Sequence, residues 1–136
     1  MGTGKFRYWF YAAAVYNFLW GILNVLFPKL YFQWLKIDLT INQPLWQVVG
    51  MFVLVYAPAY WWAGRFPERH YHLILIGLLG KIFGTFGFIW SVVTGQLPLS
   101  FGWIILTNDL IWLPAFIVYF KTILSEHGIL DLLGGK

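Results

Sequence analysis

Apolar residues run almost unbroken through four stretches, roughly 8–27, 45–64, 72–95 and 102–121, with polar and basic residues gathered between them. Each stretch approaches the roughly 20 residues that a helix needs to cross the hydrocarbon core of a bilayer. In lipid the backbone must satisfy its own hydrogen bonds, so helices are expected. The continuous apolar runs lack the period-two alternation of a barrel strand. The pattern predicts an all-α fold: an integral membrane four-helix bundle in one domain, 1–136, with a C-terminal cytoplasmic tail, 122–136.

Prolines punctuate this map. Pro28 closes the first span, Pro44 opens the second, and Pro67 and Pro98 fall in short loops. Pro58 and Pro114 lie inside spans two and four, where kinks or loosened turns are expected. Between spans one and two, Leu30, Trp34 and Ile37 recur at i, i+4 and i+7, while Lys29, Gln33 and Lys36 take another face. That spacing predicts a short amphipathic helix in the outer interface. An irregular loop with dipping aromatics has the same composition. In the tail, Gly128 is expected to break the chain before a short helix around 129–133.

Composition sharpens the class. Hydrophobic residues make up 60% of the 136 and charged residues 10%, against about 25% charged in a soluble domain. A chain this short buries too small a fraction of its surface to hide so much apolar area in water. The net charge of +4 does not point to nucleic acid, because the basic residues flank apolar stretches as membrane anchors do. Lys5, Arg7, Arg65, Arg69, Lys121 and Lys136 fall on one side, and Lys29 and Lys36 on the other. The positive-inside rule then puts both termini in the cytoplasm of a bacterial inner membrane. The first stretch is long for a signal peptide and lacks a small-residue cleavage site, so it is expected to be retained.

The absence of cysteine excludes disulfides, thiol redox chemistry and thiolate metal sites. His70, His72 and His127 show no metal-ligand spacing, so no metal site is expected. No hydrolase triad, phosphate loop or other catalytic motif is present.

Lys81 and Asp109 are the ionisable groups deepest in the spans. A charge at a helix centre costs about 2.5–3.5 kcal/mol on an insertion scale, so each calls for a partner. At about 1.5 Å per residue their heights differ by about 7 Å, within reach of an extended lysine. Asn17 and Asn24, seven apart on span one, sit near the same two levels, and Asn108 precedes Asp109. These five residues are the expected polar intramembrane cluster, between spans one, three and four. One reading is a buried network that fixes helix packing. The other is a relay, or a pocket for a polar head group. Span three also carries Gly77, Gly80, Gly84, Gly87 and Ser91 within about 80° of its circumference, a groove for close helix packing, an oligomer seam or a flat ligand.

Three segments together, Asn17-Phe18-Leu19-Trp20-Gly21 running to Phe27-Pro28, Gly77-Leu78-Leu79-Gly80-Lys81, and Asn108-Asp109-Leu110-Ile111-Trp112-Leu113-Pro114, give the chain a diffuse likeness. It resembles small bacterial four-span proteins of the broad DoxX-like type. The resemblance implies a compact bundle and, from the better-understood relatives, a membrane subunit associated with an oxidoreductase, sometimes quinone-linked.

The resulting expectation is a membrane protein without autonomous catalysis, a subunit or helper of a larger complex, with the lipid bilayer and other membrane subunits or a second copy as partners. No cofactor is predicted, although a bound lipid or quinone is compatible with the composition. Two alternatives stay open: an oligomeric, proton-coupled transporter working through Lys81 and Asp109, and a binding protein or enzyme for a flat apolar ligand.

Overall fold

The computed structural model describes residues 2–37, 42–132 and 134, and these are helical, with no strand among them. Four helices are long and apolar enough to cross a membrane: Gly4–Leu26, Gln43–Arg65, Tyr71–Val93 and Leu99–Leu132.

The first span is a turn of 3-10 helix, Gly4–Phe6, leading into α1, Arg7–Leu26. It stops at Phe27 because Pro28 follows and disfavours helical geometry in the residue before it; Phe27 sits at φ −130°, ψ 63°. The amphipathic segment forms α2, Leu30–Leu35, closed by Lys36 in the left-handed region at φ 50°. Phe32 and Ile37 are buried, whereas Trp34 is 65% exposed. Phe32 lies on Trp46, with ring centroids 4.7 Å apart, and beside Phe101 at 6.3 Å.

The second span is α3, Gln43–Arg65, whose N-cap Asn42 accepts a hydrogen bond from the Leu45 amide at 3.2 Å. It runs past Pro58 as one continuous helix. The third is α4, Tyr71–Val93. The fourth is composite: a 3-10 turn, Leu99–Phe101; α5, Gly102–Ile105; a π-helical turn, Leu106–Leu110; and α6, Leu113–Leu132. The loosened turn expected near Pro114 lies just before it. The Ile111 amide reaches back five residues to the Leu106 carbonyl at 3.1 Å, and the Trp112 indole takes the Thr107 carbonyl at 2.9 Å. Gly128, at φ 74° and ψ 160°, breaks the end of α6 as expected. Leu133, the last residue of the expected tail helix, lies outside the described residues.

The tightest helix pair is α1 with α3, a contact that the sequence reading did not assign. Gly21 meets Gly50 there; a Cβ on Gly21 would lie 2.9 Å from the Gly50 carbonyl oxygen. Ala13, Ala14, Ala57 and Ala63 extend the buried small-residue seam. This is how helices associate where no hydrophobic force drives them together: small residues let backbones approach and gain dispersion contacts.

Two aromatic clusters fill the interior. One holds Phe10, Tyr60, Trp112, Phe116 and Tyr119, with Phe10 edge-on to Tyr119 at 4.9 Å. The other holds Trp20, Phe32, Trp46 and Phe101. The N-terminal segment lies against the last helix, the Gly2 amide donating to Glu126 Oε1 at 3.3 Å. Large apolar side chains cover the outside, among them Phe83, Phe86, Trp90 and Val93 on α4, as expected of a lipid-facing surface.

Candidate functional site

A cavity of about 390 Å³ lies where the two aromatic clusters meet. All four long helices contribute: Asn17 and Trp20 from α1; Trp46, Val49, Val53, Tyr56 and Tyr60 from α3; Gly77, Gly80, Lys81 and Gly84 from α4; and Phe101, Ile104, Ile105, Asn108 and Asp109 from the fourth span. Asn17, Lys81, Asn108 and Asp109 meet between spans one, three and four, and the second span adds much of the aromatic wall. Of the lining residues, Val49 and Gly80 are exposed, which puts the opening between α3 and α4.

Lys81 is the most constrained polar group. It is 5% exposed, and its Nζ donates to the Asn108 carbonyl at 2.6 Å. The ammonium stands 3.8 Å from Asp109 Oδ1, an ion pair at long range, and 5.7 and 5.6 Å from the ring centroids of Tyr60 and Phe116. Aromatic faces at that distance attract a cation. The Asn108 carbonyl belongs to the π-helical turn, where widened winding displaces backbone groups from the regular ladder. The Asn108 side chain is held from the other direction: Tyr16 donates its hydroxyl to Asn108 Oδ1 at 2.6 Å.

Asn17 is in a different state. It is 5% exposed, lines the cavity, and makes no hydrogen bond among the described residues. Trp20, one turn on, has its indole Nε1 buried with no partner. Satisfied polar groups are the rule in protein interiors, so the unpartnered Asn17 amide at the cavity wall calls for an explanation, while the Trp20 Nε1 is enclosed by its neighbours.

Asn24 does not join the cavity. It is fully buried, donates to the Trp20 carbonyl at 2.8 Å and accepts from Trp46 Nε1 at 2.8 Å. It therefore fixes the Trp46 wall rather than facing the space. Its seven-residue spacing from Asn17 put both on one face, but Trp46 captured it.

The glycine stripe of α4 divides similarly. Gly77 receives the Tyr60 ring, whose Cε1 and Cζ lie 2.7 and 2.9 Å from where a Cβ would stand. Gly84 opens space for Asp109, whose Oδ2 would lie 2.9 Å from a Cβ. Gly80 lines the cavity, with only Tyr56 Oη nearby at 3.6 Å. Gly87 meets nothing within 4 Å, and Ser91 lies beyond the cavity towards the end of α4. The stripe thus accommodates side chains and a cavity rather than a close helix backbone; that role belongs to Gly21 and Gly50. The aromatic wall of α3 was missed because it reads as ordinary lipid-facing composition, and the π turn because nothing in 106–110 departs from a helical pattern.

Among the described residues, no three His, Asp or Glu side chains come together as a metal site would require. No family model, curated protein or solved structure matches the chain.

Proposed function

We propose that the chain is a multi-pass protein of the bacterial inner membrane, with both termini cytoplasmic, that holds a small, mainly apolar molecule in the cavity between its four spans. The single observation that carries this reading is the cavity itself: aromatic walls, a few convergent polar groups, and Asn17 buried there without a partner. Small-molecule sites have this character, apolar lining with a few placed polar groups. The opening between α3 and α4 faces the bilayer in this reading, which suits a ligand delivered from lipid. The contact of Gly2 with Glu126, past the fourth span as read from the sequence, supports placing residue 2 and the tail on one side.

In this reading the protein does not catalyse a reaction alone; it presents its ligand within a larger membrane complex, as the DoxX-like resemblance implies. The exposed aromatic surface is available for partner subunits as well as for lipid.

Native mass spectrometry, after extraction from the protein's own membranes in mild detergent, tests both parts. A retained small molecule is expected, and it should be lost in Gly80→Leu, where the new Cβ itself is tolerated and the side chain fills the space. Foreign subunits in fixed ratio support the complex. A bare chain, free of any small molecule in every charge state, refutes the ligand reading.

A further inference from the structure

We infer that the cavity selects an electrically neutral ligand whose polar end, such as a carbonyl oxygen, hydrogen-bonds the Asn17 amide, and that the Lys81–Asp109 pair excludes charged molecules. This rests on the ligand-holding role proposed above and specifies its chemistry.

Two features of the wall lead there. The first is the missing partner. Asn17 lines the cavity and makes no hydrogen bond among the described residues. Its amide N–H can donate to a carbonyl oxygen, and its Oδ1 can accept from a hydroxyl. The second feature is charge balance. Lys81 and Asp109 face each other at 3.8 Å, and the ammonium is further held by the Asn108 carbonyl and the Tyr60 ring. Together the pair sums to zero. A carboxylate or ammonium entering beside it brings an uncompensated charge into an apolar, aromatic wall, where a lone ion is costly. A neutral head leaves the balance intact and pairs with the idle Asn17 amide.

Removing one member of the pair should therefore convert the filter into a selector for the opposite sign. The experiment uses the whole protein in lipid nanodiscs and four naphthalene probes that share one body: 2-acetylnaphthalene, 2-ethylnaphthalene, 2-naphthoate and 2-naphthylmethylammonium. Equilibrium dialysis, corrected against empty nanodiscs, gives each affinity. The wild-type protein should hold the acetyl probe about tenfold or more tighter than either charged probe, and severalfold tighter than the ethyl probe. Asp109→Asn should raise naphthoate binding about tenfold relative to the acetyl probe, and Lys81→Gln should do the same for the ammonium probe. A structural role for the pair would not invert selectivity with the sign of the charge removed. Asn17→Leu, which leaves the pair intact, should bring acetyl and ethyl probes to equal affinity.

Tighter binding of a charged probe by the wild-type protein overturns the inference, as does an unchanged ranking in folded Asp109→Asn and Lys81→Gln. Should neither charge variant fold, an acetyl preference that survives Asn17→Leu overturns it. Binding of none of the four probes refutes instead the cavity reading beneath it.

Discussion

Gly21 offers a sharp test of how the bundle is held together. Changing it to alanine adds one methyl group, which in an exposed helix would gain about 1 kcal/mol from improved helix propensity. Here the new Cβ would stand 2.8 Å from Leu54 Cβ, 2.9 Å from the Gly50 carbonyl oxygen and 3.0 Å from Leu54 Cα. Ordinary contact begins near 3.5 Å, so α1 and α3 must part by roughly half an ångström or more. Two of the three obstructing atoms are backbone and cannot rotate away. Overpacking of this kind costs about 1–3 kcal/mol, which exceeds the propensity gain. Separation also weakens the close approach along the whole alanine-rich seam. The expected result is a net destabilisation of about 1–2 kcal/mol for Gly21→Ala. Gly87→Ala is the matched control: it adds the same methyl to a membrane-length helix, where nothing lies within 4 Å. It should be neutral or stabilising by up to about 1 kcal/mol. Reversible unfolding in mixed micelles, followed by far-ultraviolet circular dichroism, measures both. Equal effects of the two substitutions would refute the Gly21–Gly50 contact as the organising feature of the pair.

Other consequences can be checked in the same system. Lys81→Met and Asp109→Leu should each destabilise the fold, the double variant should lose less than the two separate losses combined, and the coupling should be about 1–3 kcal/mol; strict additivity would count against the ion pair. Lys81→Met should be the more harmful, since Lys81 keeps the Asn108 carbonyl and two aromatic faces when Asp109 is gone. Asn24→Leu strands the buried Trp46 Nε1, and a loss of about 1–3 kcal/mol in unfolding free energy is expected, with little further loss when Trp46→Phe is added. Because the chain contains no cysteine, single substitutions such as Glu126→Cys and Lys36→Cys report sidedness cleanly. In intact cells an impermeant thiol reagent should label Lys36→Cys and spare Glu126→Cys, and the reverse pattern would invert the proposed orientation.

Four long helices, their ends at proline and the break at Gly128 were legible because each follows from local rules. A bilayer-length apolar run must form a helix, a proline stops the preceding turn, and a glycine accepts a positive φ. The approach of Lys81 to Asp109 was also legible, since two lone charges on adjoining antiparallel helices at similar heights have few other ways to be compensated. The face of a helix that meets each neighbour was not. In helices that are apolar on every side, hydropathy gives no inside and no outside. Trp46 and Tyr60 look like Trp34 or Phe83 until packing buries the first two and exposes the others. Asn24 and Asn17 share a face and a residue type, yet one is spent holding Trp46 and the other stands idle at a cavity wall. Gly77, Gly84 and Gly21 look alike in the sequence, but one admits a tyrosine ring, one an aspartate and one another helix backbone. The composition and order of the residues by themselves determined that four long helices form and that Pro28 and Gly128 interrupt the chain, but not that the last helix runs on past 121. Only the tertiary structure decided which small residues close a contact and which leave a space, because that depends on backbone distances between helices far apart in the chain.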